Sequence, residues 1–299
     1  MTTAESAAAR PLVYAHRGSS EAFAEHTRAA YLQAIADGAD GVECDVHLTR
    51  DQHAVLLHDA TLDRTSDGTG QVADRTLEEL RLLDFSSWKG ARIPEAYGAQ
   101  SEQFLTLPDL LEILCAAGRT IGLAIEFKHP SPYQLGLEDR VLEILRDEGW
   151  DPATSTLENI RVSFMSFSPD SVKHLLESVP AGAICQLVDD VNVADIREEL
   201  RLGALTGGAL ANVMKAAQAE GEKILDAAEV GIAGPGIGYV RAHAETVQRW
   251  LGSGRRFRVW TVDAEDDVEL CREMGLHEIT TNAPAQVLSQ LMAGSQPLR

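Results

Sequence analysis

Strand-like and helix-like segments alternate along almost the whole chain, and this alternation constrains the fold more than any other feature. Short apolar runs occupy 12–16, 40–48, 53–58, 121–126, 161–166, 182–188, 229–233, 257–262 and 278–282. Stretches with helical spacing lie between most of them. In 27–37, Ala30, Tyr31, Ala34 and Ile35 fall on one face, and Thr27 is placed to cap the helix start. Segments 110–117, 141–147, 168–178, 240–251 and 266–274 read the same way. Sustained alternation implies a parallel sheet, and about eight units imply a closed (β/α)8 barrel of the TIM type. A chain of 299 residues suits one such domain spanning 1–299.

Nine strand-like runs are one more than a barrel needs. The excess disappears if 40–48 and 53–58 form a hairpin, because 49–52 is too short for a helical crossover. Pairing Leu48 with His53 would set Glu43 opposite His58. The turn carries Asp51-Gln52 and lacks the glycine that tight hairpin turns prefer, so a wider loop is expected. Segment 60–106 breaks the alternation and has no strand set of its own. It reads as an insertion, expected to cap the barrel mouth because it starts beside His58. The stretch 202–229 is rich in Ala and Gly and reads as a helix without evident chemistry.

Titratable residues sit at the ends of several strand-like runs: His16-Arg17-Gly18, Glu43-Cys44-Asp45, His58-Asp59 and Glu126-Phe127-Lys128. Strand ends are where α/β barrels keep their chemistry. Glu43 and Asp45 are two apart on a strand and share a face, while Cys44 and Val46 take the other. A lone Glu-x-Asp is most often a solvated edge, but apolar Val42, Cys44 and Val46 argue against an edge here. His58-Asp59 has a rival in plain turn chemistry, and Lys128 in a lysine snorkelling from a rim.

Taken together the set reads as a metal-assisted phosphodiesterase site. Glu43, Asp45 and Glu126 carry three negative charges. A divalent ion supplies two positive charges, and Arg17 with Lys128 two more. The remaining single positive charge complements one phosphodiester anion. An all-oxygen ligand set suits Ca2+ or Mg2+ rather than zinc. Arg17 suits bidentate phosphate contact and Lys128 acts as a point charge. Two histidines supply a base and an acid, each typically worth about 10²–10⁴-fold.

Composition limits the partners. A net charge of −20 disfavours nucleic acid and anionic membrane surfaces, so no stable membrane association is expected. It also means that a phosphate site must concentrate its own positive charge. The four cysteines are scattered and match no metal or redox spacing. Residues 1–10 lack an apolar stretch and no 18-residue apolar segment occurs, which points to a cytoplasmic protein.

With these residues in view, the chain resembles the glycerophosphodiester phosphodiesterase family. The matching pieces are Ala15-His16-Arg17-Gly18, the run from Gly38 to Val46, Leu57-His58-Asp59, Leu62-Asp63-Arg64-Thr65 with Gly68-Thr69-Gly70, Ile125-Glu126-Phe127-Lys128 and Val259-Trp260-Thr261-Val262. The resemblance implies a TIM barrel with an inserted segment after the metal-bearing hairpin. It implies hydrolysis of a small-molecule glycerophosphodiester to glycerol 3-phosphate and an alcohol. It places one divalent cation, Ca2+ or Mg2+, on Glu43, Asp45 and Glu126. It makes His16 and His58 the acid–base pair, with His16 the base and His58 the acid, and puts Arg17, Lys128 and Trp260 at the substrate.

Some positions depart from the family pattern. Glu25-His26-Thr27 stands where Glu-Asn-Thr is usual, and Thr281-Asn282-Ala283-Pro284 where Thr-Asp-x-Pro is common. His26, His47, His53, His129, His174, His243 and His277 read as structural or surface residues, and Glu25 as a residue behind the site or at the helix start. A lysophospholipase D or sphingomyelinase-D-like enzyme is the first alternative, but 5% aromatic content gives no sign of a lipid groove. A non-catalytic barrel binding phosphorylated ligands is the second. The presence of both histidines and all three carboxylates argues against it.

Overall fold

The computed structural model describes residues 10–191 and 204–293. Its strands are β1 (Leu12–Ala15), β2 (Gly41–Leu48), β3 (Ala54–Leu56), β4 (Ile121–Phe127), β5 (Thr156–Leu157), β6 (Ile160–Ser166), β7 (Ile184–Val188), β8 (Ile232–Pro235), β9 (Arg256–Val259) and β10 (Glu278–Thr281). All except β3 and β5 run parallel in one sheet, and β1 pairs with both β2 and β10, which closes the ring. Among the described residues this gives eight parallel strands, the TIM-type barrel expected. The alternation is physical: Val42, Cys44 and Val46 are fully buried on the outer face of β2, in one core with helix residues such as Leu110 and Leu114. Each such side chain contributes about 1.5–3 kcal/mol when removed from water.

The helix Arg28–Ala36 starts where the sequence indicated, with the Thr27 hydroxyl accepting from the Ala30 N–H. The run 240–251 divides into Ile237–Ala242 and Ala244–Gly252 at His243, whose backbone leaves the helical region. No glycine or proline marks that break. The two-residue β5 pairs back on β6 through a turn with Glu158 at φ +47°. It was invisible because non-glycine residues make the turn. For 202–229, the described part is a helix, Ala204–Asp226.

The β2–β3 hairpin exists, but its register is one residue off the pairing proposed above. Leu48 faces Ala54 and Val46 faces Leu56, so Glu43 is not paired with His58. The reason lies in the loop. Thr49 N–H donates to the His53 carbonyl, the His53 N–H donates to Thr49 Oγ1, and Gln52 takes φ +60°. Five residues, 49–53, therefore form the wider loop, and β3 ends at Leu56.

The 60–106 insertion builds a small core of its own on β3, from Val55, Leu57, Leu62, Val72, Leu80 and Phe85. Phe85 stacks on Phe104 at 4.3 Å. Polar contacts then tie the segment to the first helix and the loop before it. Tyr97 Oη donates to Gln33, the Ala29 N–H donates to Gln103, and Lys89 Nζ donates to the Ser20 carbonyl. It flanks the β1 side of the rim.

The N-terminal end of the barrel is plugged. The Tyr14 side chain fills it because Gly41 and Gly122 leave room; a Cβ at Gly41 would stand 2.4 Å from the ring and one at Gly122 2.3 Å from its hydroxyl. The buried Arg258 guanidinium lies 4.4 Å from the Tyr14 centroid and donates to Glu278 at 2.7 Å. All the chemistry described next therefore sits at the other end.

Candidate active site

Adjacent strands bring three carboxylates together. β2 and β4 pair with Asp45 facing Glu126, and Glu43 shares the Asp45 face. One oxygen from each of Glu43, Asp45 and Glu126 lies within 4.8 Å of the others, and all three residues are buried. A tight turn brings Arg17 to them. Arg17 takes φ +59° and Gly18 φ +82°. A Cβ on Gly18 would come within 2.6 Å of Ala30, so only glycine fits there. The turn aims the Arg17 N–H at Glu43 Oε2, 3.0 Å away, and its Nε sits 3.0 Å from Asp45 Oδ2. Lys128 Nζ donates to Glu126 at 2.8 Å and stands 3.4 Å from Asp45 Oδ1.

The electrostatics are unbalanced. Burial and the Asp45 charge raise the Glu43 carboxyl well above its ordinary range. Burial likewise raises Glu126 against the pull of Lys128. Asp45 alone is lowered, since Lys128 and Arg17 outweigh its burial. Glu43 Oε1 and Asp45 Oδ1 are buried and accept no hydrogen bond. A buried carboxylate oxygen without a donor is costly. A hard divalent cation is the group such oxygens fit, so the residues present suit Ca2+ or Mg2+.

His16 and His58 flank these carboxylates. His16, Arg17, Glu43, His58, Glu126 and Lys128 line one cavity of about 100 Å3. Its opposite wall is apolar, made by Met165, Leu187, Phe167 and Trp260, with the two aromatic rings edge to face at 5.4 Å. Trp260 follows β9 directly and is held by its Nε1–H on the Gly234 carbonyl. Larger hollows of about 530 and 370 Å3 lie elsewhere, one around His129 and His174 and one at the plugged end. Neither holds a carboxylate cluster of this kind. Seven of the eight residues anticipated at the site line this space; Asp45, fully buried, does not line it but meets Arg17 and Lys128 and faces Glu126 across the strand pair.

Each histidine is held through Nδ1. His16 Nδ1 lies 2.8 Å from Asn282 Oδ1. Burial and the Arg17 charge push the His16 imidazole down to about 4, so it is neutral at pH 7. His58 Nδ1 lies 2.7 Å from the Asp59 carboxylate, a charge-assisted contact that fixes the ring. His47 is buried behind it, its Nε2 3.2 Å from the His58 carbonyl.

Sequence reasoning missed the groups that hold this site. Arg64, from the insertion, meets two carboxylates at once: Glu25 through both terminal nitrogens at 2.8 Å, and Asp59 at 2.8 and 3.0 Å. Glu25 also accepts from Arg17 at 3.0 Å. Burial opposes ionisation of Glu25, but the Arg64 bonds and the Arg17 charge hold it down at about 2. The chain of contacts runs from Asp45 through Arg17, Glu25, Arg64 and Asp59 to His58. His26, read as structural, touches a proposed ligand directly: its Nε2 lies 2.9 Å from Asp45 Oδ2 and its Nδ1 2.9 Å from Tyr31 Oη. The available signal was its place in Glu25-His26-Thr27. Arg64→Ala is expected to lower kcat/KM by about 10–100-fold, as losing a supporting partner typically does. Arg64→Lys should not restore it, since an ammonium cannot fork between two carboxylates. Steady-state kinetics checks this, and an unchanged kcat/KM would refute the role.

Comparison with known proteins agrees with this fold. The family model described as the glycerophosphoryl diester phosphodiesterase family matches residues 16–286. The chain is 34% identical over 288 residues to the probable glycerophosphodiester phosphodiesterase 1 of Mycobacterium tuberculosis, covering 96% of this chain and 94% of the relative. It is 28% identical to a glycerophosphodiester phosphodiesterase of Caldanaerobacter subterraneus, with 95% and 99% covered. A phosphodiesterase of Oleispira antarctica, solved with the product sn-glycerol-3-phosphate, has the same fold: TM-score 0.72, 23% identity, 95% of this chain and 97% of that one. A glycerophosphodiester phosphodiesterase of Thermotoga maritima superposes with TM-score 0.65 at 19% identity, covering 94% and 98%. By the extent of the family match and of its curated relatives, the chain belongs to the glycerophosphoryl diester phosphodiesterase family.

Proposed function

We propose that this chain hydrolyses glycerophosphodiesters to glycerol 3-phosphate and an alcohol, with a divalent cation, Ca2+ or Mg2+, held by Glu43, Asp45 and Glu126. The observation that carries the reading is the buried meeting of these three carboxylates, two of their oxygens without donors, at a cavity that Glu43 and Glu126 line together with the two histidines. A bound cation there supplies Lewis acidity toward a phosphoryl oxygen.

The remaining chemistry belongs to the chain. Arg17 and Lys128 oppose the negative charge of the phosphodiester. The wall of Trp260 and Phe167 packs against the carbon skeleton and keeps water from it. His16, neutral and with Nδ1 taken by Asn282, accepts the proton of the nucleophile at Nε2. That nucleophile is a water, which gives glycerol 3-phosphate directly, or the 2-hydroxyl of the glycerol, which gives a cyclic phosphodiester that a water then opens to glycerol 3-phosphate as the P–O bond to the 2-oxygen breaks, the two histidines exchanging roles. As the new P–O bond forms, the bond to the alcohol breaks, and His58 gives its proton to the leaving oxygen. The reading takes the chain as one domain, in which the 60–106 insertion serves the barrel's site through Arg64. Among the described residues no helix is long and apolar enough to cross a membrane, which accords with a small-molecule substrate.

The test is hydrolysis of glycerophosphocholine, glycerophosphoethanolamine and a lysophospholipid, followed by release of glycerol 3-phosphate, before and after chelation and metal return. The glycerophosphodiesters should be cleaved, activity should vanish on chelation, and Ca2+ or Mg2+ should restore it. Cleavage of the lysophospholipid alone would reject the substrate class.

A further inference from the structure

Asp263 lies outside the cavity lining, yet three donors converge on its carboxylate from the end of β10. Thr281 Oγ1 and the Asn282 N–H both donate to Oδ1 at 2.8 Å, and Asn282 Nδ2 donates to Oδ2 at 2.6 Å. A carboxylate only accepts, so the amide end of Asn282 that faces Asp263 must be its NH2 group. The oxygen end then faces the other way. It accepts from Ser20 Oγ at 2.7 Å and meets His16 Nδ1 at 2.8 Å. An amide oxygen cannot donate, so His16 must donate through an Nδ1–H. Its lone pair is then on Nε2.

We infer that Asp263 is a positioning residue that fixes the tautomer of His16 through Asn282, and so determines which His16 nitrogen serves as base. Asp263 does this without touching His16. An asparagine in contact with an imidazole has two orientations that differ only by an amide flip. One presents oxygen to Nδ1 and the other presents NH2. Only the first leaves Nε2 able to accept a proton, because in the neutral ring one nitrogen donates and the other accepts. The Asp263 carboxylate removes the flipped state, since that state would set oxygen against oxygen. His16 N–H on the Thr281 carbonyl and Glu21 N–H on the Asn282 carbonyl hold the two strand ends in place around it. The inference rests on the reading of His16 as the base, but its structural half stands apart from activity.

The test is Asp263→Asn, which keeps size and shape but can donate, so that the Asn282 amide is free to flip. Nitrogen-15 NMR of the histidine side chains of the full chain, without substrate, reads the tautomer. The wild type should show His16 as the Nδ1–H form, and D263N a mixture with the Nε2–H form. On glycerophosphocholine, D263N should lose about 10–100-fold in kcat, as expected for a partner behind a catalytic group, with KM little changed. A purely structural role would move thermal stability without moving the tautomer. D263N with His16 still Nδ1–H and full kcat would overturn the inference. So would an Nε2–H tautomer in the wild type, a measurement that decides the matter even if the variant does not fold. A wild type with the Nδ1–H form but no phosphodiesterase activity would instead reject the proposed function and leave the tautomer assignment standing.

Discussion

His58→Ala should lose at least about 100-fold in turnover on an alkyl glycerophosphodiester, the lower end of what a positioned acid contributes. The same variant should lose far less on a nitrophenyl ester. An alkoxide leaves only if protonated, whereas nitrophenolate is stable enough to leave alone. His58 suits the acid role because its Nδ1 is bound to the Asp59 carboxylate, which Arg64 holds in turn. That contact occupies Nδ1 and leaves Nε2 as the ring nitrogen able to meet the leaving oxygen. His16 has the opposite setting, with a neutral amide behind it and Arg17 beside it, and burial and that charge keep it unprotonated at pH 7. His16→Ala should therefore lose comparable activity on both esters. Equal losses for His58→Ala on both esters would remove it as the acid. Selective rescue of His16→Ala by the nitrophenyl ester would exchange the two roles.

The second large effect concerns the metal. Glu43→Gln should reduce phosphodiesterase activity to near the chelated level while the metal-free protein stays folded. The substitution is mild because burial and the Asp45 charge already favour a protonated, neutral Glu43 when no cation is present. Asp45→Asn is a harsher change. Asp45 is the partner of Arg17, Lys128 and His26, and removing one member of a buried ionic group costs about 3–5 kcal/mol. In the wild type, Ca2+ or Mg2+ at 100 times its Kd should add about 2.7 kcal/mol of stability, read as a rise in Tm. Glu43→Gln should show no such rise. A proton competes with the cation for a carboxyl whose pKa is raised, so apparent affinity should strengthen as pH rises and weaken as it falls. Calorimetric titration with each metal measures this. Full activity with no metal present, or affinity independent of pH, would overturn the ligand assignment.

The strand ends were legible in the sequence because burial leaves a plain mark there. An apolar run that stops at His16, His58 or Lys128 announces a barrel rim, and the two-residue spacing of Glu43 and Asp45 announces a shared face. What no pattern carried was anything set by the third dimension. Asn282 and Asp263 lie 266 and 247 residues from His16 in the sequence, yet one amide group joins all three. Arg64 lies in a stretch that matches the family, but nothing in that stretch shows that it links Glu25 to Asp59. His26 stood out in the sequence only as a departure from Glu-Asn-Thr, and nothing in that spacing sets its ring against Asp45. The hairpin slipped by one residue because its register depends on the Thr49 hydroxyl, a local bond that apolar alternation does not encode. The division of the helix at His243 is of the same kind.

The pairing of β1 with β10 has a consequence for how activity arises during synthesis. The first strand delivers His16, and the last delivers the amide that orients it and the carbonyl that its own N–H meets. A nascent chain emerging from the ribosome can assemble β2, β4 and their carboxylates early, but it remains a sheet with two open edges. In the mechanism proposed above, the base acquires its working tautomer only when the final strand seals the seam. On that reading turnover reports ring closure, and a chain halted before Glu278 should be catalytically silent even with Glu43, Asp45 and Glu126 in place.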